Sequence, residues 1–163
     1  MKAHEFISLY RADSLVQTLA EGIRTLTSKS VRIKGLHGSL DAVIFSAVFK
    51  SVSANHVVVL TDKEEASYFL NDLQQLLGNK EVFFFPMSYK RPYEYEEIEN
   101  ANILMRAEVL NQLSNHPEGN VIVTYPEAFL IHGPYQLSIF GEKSACFAVI
   151  NCDIRLDEKT IRI

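Results

Sequence analysis

Apolar residues recur along this chain in two rhythms, and the changes between them mark out its elements. Over residues 5–27, "EFISLYRADSLVQTLAEGIRTLT", they return at helical spacing: Phe6, Leu9 and Tyr10, then Leu15, Val16, Leu19, Ile23 and Leu26. Asp13 or Ser14 is placed to cap a second helix inside that stretch. Val31–Ile33 reads as a short strand. Residues 41–52 are apolar on nearly every side, which predicts a helix buried all round, with Phe45 and Phe49 on one face in the core. "HVVVL" (56–60) is a continuous β-branched run, as in an interior parallel strand. In the helix expected over 61–77, Ala66, Phe69, Leu70, Leu73, Leu76 and Leu77 share a face and Gly78 stops it. Thr61 and Glu64 have the spacing of a capping box at its start. "EVFFF" (81–85) is a third strand, ended by Pro86. A helix over 98–114 takes Ile103, Leu104, Val109, Leu110 and Leu113 as its apolar set. "NVIVTY" (120–125) is a fourth strand, and Pro126 opens another helical turn, "PEAFL".

Alternating strands and helices predict an α/β fold of three layers around a mainly parallel sheet with right-handed crossovers. The pattern changes near residue 131. "YQLSIF" and "ACFAVIN" then read as two strands around the turn "GEKS". The expected division is an α/β domain over 1–131 and a β-rich tail over 132–163, a linker or the start of a second domain. The chain is accordingly expected to be a piece of something longer.

Composition narrows the function classes. The chain has 163 residues, 47% hydrophobic and 22% charged, enough apolar material for a core without metal or disulfide staples. A net charge of −4 gives no broad attraction to nucleic acid or to an anionic membrane, so neither is an expected direct partner. Cys146 and Cys152 stand without the further ligands of a zinc set and read as ordinary thiols. No run approaches the roughly 20 apolar residues of a membrane span, and the N-terminus lacks a secretory core, so a cytoplasmic location is expected.

The candidate chemistry lies at "KGLHGSLDAV", residues 34–43, between the short strand and the apolar helix. A working phosphate loop reads G-x-x-x-x-G-K-[ST]: backbone N–H groups cradle phosphates, the lysine reaches the outer ones, and the hydroxyl binds magnesium. With Gly35 as the first glycine, Leu40 takes the second glycine's place, Asp41 the lysine's and Ala42 the hydroxyl's. An anion there repels a triphosphate, and alanine cannot hold a metal. Gly35, Gly38, Ser39, Leu40, Asp41 and Ala42 therefore form either a plain strand-to-helix turn, with Ser39 or Asp41 as cap, or a vestigial phosphate loop. No catalytic residue and no cofactor or metal is expected.

Other groupings are weaker. The aspartate of "VVVLTD" resembles a magnesium-holding strand end, but the capping box accounts for it without a metal. In "SYKRPYEYEEIEN", Tyr89, Arg91, Tyr93 and Tyr95 have the composition of a protein-interface anchor, or of a polar loop packed over the sheet edge. The acids at 94, 96, 97 and 99 have no histidine or metal set beside them in sequence and read as solvated. Of the five histidines only His37 lies in the loop, with no nucleophile beside it.

In order and spacing, several segments resemble the N-terminal module of bacterial transcription-repair coupling factors (Mfd), itself similar to the first domain of the excision-repair protein UvrB. "GLHGSLDA" resembles that module's degenerate loop, where UvrB reads G-x-T-G-S-G-K-T. "VVVLTDKEEASYFLNDL", "FFFPMSYKRPYEYEE", the R-x-x-x-L-x-x-L helix "ILMRAEVLNQL" with Arg106, and "VIVTYPEAFL" follow in the family's order, over about residues 5–131. The resemblance implies a RecA-like fold with a phosphate loop that has lost its chemistry. It also implies a non-enzymatic scaffold inside an ATP-dependent DNA translocase that removes stalled RNA polymerase. The partners implied are the other domains of that protein and, through it, UvrA and RNA polymerase. In the tail, Arg155 and Arg162 do not align with the family's arginine-rich UvrA-recruiting surface. Two rival readings stand beside this one: a nucleotide-binding fragment of a UvrB-like enzyme, and an unrelated α/β interaction domain.

Overall fold

A computed structural model describes residues 2–25, 33, 35–78, 82–87, 100–116, 118–130 and 145–149. Asp13 does cap a second helix: its carboxylate accepts from the Leu15 N–H at 2.8 Å, separating α1 (Ala3–Arg11) from α2 (Ser14–Arg24). Next come α3 (Leu40–Phe49), β1 (Asn55–Val59), α4 (Lys63–Leu77), β2 (Val82–Phe84), α5 (Asn100–Asn115), β3 (Val121–Thr124), α6 (Pro126–Leu130) and β4 (Ala145–Val149). The four strands form one sheet in the order β2-β3-β1-β4, every described pairing parallel. In register, Val57 lies opposite Ile122, and Phe83 lies opposite Ile122 on the other side.

Strand periodicity divides the core into two faces. On one, Val58, Leu60, Val82, Val121 and Val123 pack against α3 and α4 through Phe45, Phe49, Phe69 and Leu73. On the other, Val57, Val59, Ile122 and Phe85 pack against Val109 of α5. The β1-to-β2 and β2-to-β3 crossovers run in opposite directions across the sheet on opposite faces. They therefore share one hand, as the right-handed rule requires. α3 receives a further cover: its Ala47 and Val48 pack with Ile7, Val16 and Ala20 of α1 and α2. Arg24 fastens that cover by donating from Nε to the Ser51 carbonyl at 3.1 Å, and from Nη2 to the same oxygen.

The structure corrects several expectations. Leu9 and Leu15 are 63% and 78% exposed, because Ile7 and Ala20 take the inward positions of α1 and α2. Asp62, not Thr61, caps α4: its side chain accepts from the Glu65 N–H at 2.9 Å, while the Thr61 hydroxyl bonds the Glu65 carboxylate. In α5 only Val109 of the expected apolar set is buried; Leu113 is half-buried, and Ile103, Leu104 and Leu110 are 50%, 69% and 40% exposed. Ile33 lies in no strand; Val31 and Arg32 are outside the described residues. The strand expected in "ACFAVIN" is present as β4, parallel to β1 in the same sheet, and "YQLSIF" lies outside the described residues. Among the described residues no helix is long and apolar enough to cross a membrane.

Two buried polar groups fix the N-terminal edge of the sheet. Asn55 Oδ1 accepts from the Asn120 backbone N–H and from its Nδ2, at 3.2 and 2.9 Å, locking β1 to the start of β3. Beside it His56, 3% exposed, sits edge-on to Phe45 and Phe49, with ring centroids 5.7 and 5.2 Å away. Its Nε2 lies 3.4 Å from the Val52 carbonyl, so that nitrogen carries the proton. Burial lowers its pKa to about 4, against the smaller opposing effect of the Val52 bond. The neutral ring is thus the folded form, and its stability contribution is complete above pH ~6.5 and lost as the pH falls toward 4. The loss amounts to about 3 kcal/mol. Urea titrations at pH 7 and pH 4 should show His56→Leu losing less stability than the wild type by about that amount. Equal losses in the two proteins would contradict the burial of a neutral histidine.

Candidate functional site

The glycine loop leads directly into α3. Gly35 and Gly38 have φ of +84° and +60°, the left-handed region that glycine occupies without strain. An added Cβ would meet nothing within 4 Å at either position, so backbone conformation and not crowding calls for glycine there. The Leu40 N–H donates to the His37 carbonyl at 3.4 Å and closes the turn. Ser39 occupies the N-cap position but makes no side-chain capping bond, contrary to one expectation. Asp41 acts instead, accepting from the Ala42 N–H at 2.7 Å. Ala42 is fully buried among Phe45, Phe69 and Ala128, so the position where a phosphate loop presents its metal hydroxyl points into the core.

The electrostatics of the loop come from a neighbour the local sequence does not show. Phe69 of α4 packs against Phe45 of α3, with ring centroids 6.0 Å apart. Glu65 and Asp72 lie four residues before and three after Phe69, so helical spacing puts both carboxylates on the face that meets α3. The Asp41 pKa is raised, chiefly by desolvation and further by the charges of Asp72 and Glu65, against the lowering effect of the Ala42 N–H. The start of α3, where a helix N-terminus ordinarily attracts anions, is thus occupied by carboxylates. That arrangement repels a phosphate.

The C-terminal edge of the sheet, where open α/β sheets commonly bind ligands, is tied together by its own side chains between β2 and β3. The Thr124 hydroxyl donates to the Phe85 carbonyl at 2.9 Å, and the Met87 N–H donates to the Tyr125 hydroxyl at 3.0 Å. Arg106 lies over the Phe85 ring at 3.8 Å and donates from Nη1 to the Pro86 and Ala128 carbonyls at 2.8 and 3.4 Å. Burial lowers its pKa, and Tyr125 acts in the opposite sense. Arg106 therefore joins α5, the end of β2 and α6, and its position in the R-x-x-x-L pattern was the one signal of this in the sequence.

No protein-family model matches the chain, and no curated protein matches it either. The residues themselves carry the functional reading. Gly35, Gly38, Ser39, Leu40, Asp41 and Ala42 lie together at the start of α3. Tyr89, Arg91, Tyr93 and Tyr95, the other candidate group, lie outside the described residues. Glu65 and Asp72 escaped the sequence reading because their effect on Asp41 depends on how two helices pack.

A substitution checks the electrostatic account. Because the folded protein disfavours the charged form of Asp41, Asp41→Asn should raise the thermal midpoint at pH 7. The advantage should shrink as acid protonates Asp41 in the wild type. A midpoint lowered at pH 7 would show that the carboxylate stabilises the fold.

Proposed function

We propose that this chain is a non-catalytic scaffold module of RecA-like ancestry, resembling the N-terminal module of bacterial transcription-repair coupling factors. One observation carries the proposal. A loop with two left-handed glycines runs into a buried helix ahead of a central parallel strand, yet its cation position is Asp41, beside Glu65 and Asp72. The glycines and the helix after them resemble the setting of a phosphate loop, and the chemistry is opposed to one. The order of the other segments, from "VVVLTD" through "VIVTYPEAFL", supports the same ancestry. In this reading the parent protein is an ATP-dependent DNA translocase that removes stalled RNA polymerase and recruits UvrA. This module contributes a rigid platform for neighbouring domains, and ATP hydrolysis belongs to other domains of the parent. The cytoplasm is the corresponding compartment.

The test is calorimetry with ATP and magnesium at high concentration. The proposal predicts no binding heat. A dissociation constant in the micromolar range would overturn it in favour of a working nucleotide site.

A further inference from the structure

Where α1 and α2 meet the end of α3 there is a polar cleft of about 450 Å³. Gln17, Ala20, Glu21 and Arg24 recur at three- and four-residue spacing, so one face of α2 forms a wall. Ser8 and Arg11 of α1 and Ser51, just beyond α3, complete the lining, and Ala20 is buried at its base. In a chain of net charge −4, this cleft carries two cations and one anion.

The hydrogen-bonding capacity of these groups determines what the cleft can hold. Arg24 commits Nε and Nη2 to the Ser51 carbonyl and keeps its Nη1 hydrogens. Among the described residues Arg11 makes no side-chain hydrogen bond, and neither arginine forms an ion pair with Glu21. Opposite charges thus line one space without neutralising each other. The Ser8 and Ser51 hydroxyls donate their protons to the Glu5 and Ala47 carbonyls at 2.7 and 2.9 Å, so toward a ligand they can only accept. A phosphate, which brings mostly acceptors at neutral pH, would use the arginines but face Glu21 and two hydroxyls with no proton to give. A ligand with an anion at one end and N–H donors at the other satisfies both sets.

We propose that this cleft binds a small zwitterion carrying a carboxylate and an ammonium group, the chemistry of an α-amino acid. Arg11 and Arg24 receive the carboxylate, and Glu21 and the serine oxygens receive the ammonium. The volume lies in the range of small-molecule sites. Arg11, Glu21 and Arg24 are exposed, and charges in water attract weakly. A dissociation constant on the order of 10 mM is therefore expected for a solute of few atoms.

Amide NMR titrations of the full chain at pH 7 test this with matched probes: L-alanine, propionate (the carboxylate alone), ethylamine (the ammonium alone) and inorganic phosphate. L-Alanine should shift the amides of Arg11, Ala12, Glu21 and Arg24 saturably, and bind about tenfold more tightly than any of the others. Arg11→Ala and Glu21→Gln should each weaken alanine about tenfold with unchanged thermal midpoints, and Glu21→Gln should leave propionate binding no weaker. Alanine shifts that do not saturate overturn the proposal. So does propionate or phosphate binding as tightly as alanine, which would mark a plain anion site. Variants that bind alanine like the wild type also overturn it, as does a lowered midpoint in either, because the charges would then serve the fold.

Discussion

Helix α3 has almost no polar side, so the fold must surround it with apolar groups. Ala42, Val43, Phe45, Ala47, Val48 and Phe49 are all buried, and so is Ser46, whose hydroxyl finds no partner among the described residues. One face meets Val58 of β1 and Phe69 of α4; the other meets Ile7, Val16 and Ala20 of α1 and α2. Burying a side chain of this size contributes about 1.5–3 kcal/mol, so the helix holds much of the stabilisation available to the first half of the chain. The N-terminal helices are consequently a required outer cover on α3. Arg24 reaching the Ser51 carbonyl, and His56 wedged beside Phe45 and Phe49, fasten that cover and the strand to the two sides of the same helix.

The same constraint bears on the glycine loop. A phosphate loop presents the first turn of its helix to a ligand, and here Ala42 in that turn is packed in the core. Asp41 is half-buried beside it, where desolvation first, and then the charges of Asp72 and Glu65, oppose its ionisation. At the sheet's C-terminal edge, Arg106, Thr124 and Tyr125 bond the ends of β2 and β3 to one another. The chain's own groups thus take up places where an open α/β sheet elsewhere meets ligand.

Much of this was legible in the sequence where one segment decides its own state. The β-branched run of β1, the cap at Asp13 and the single apolar face of α4 were read correctly, because period and capping are local properties. The all-round burial of α3 followed from its composition. The errors arose where packing chooses among apolar residues. Leu9 and Leu15 look like core residues beside Ile7 and Val16, and only the docking angle of α1 and α2 on α3 decides between them. Likewise, the sheet selects Asn102, Arg106 and Val109 of α5 and leaves Ile103 and Leu104 outside. At the loop, the departures of Leu40, Asp41 and Ala42 from the phosphate-loop pattern could be read directly. The added carboxylates could not, since Glu65 and Asp72 reach Asp41 only across a helix pair.

Hydrogen exchange in the amides of α3 tests the central claim most directly, because amides in a cooperatively packed core exchange only through global unfolding. The amides of Phe45 to Phe49 should fall in the slowest class, with the same opening free energy as Val57 to Val59 and Ile122 to Thr124. Exchange of α3 through a distinct, lower-energy opening, with the strands still protected, would show a mobile helix behind the glycine loop and contradict the account.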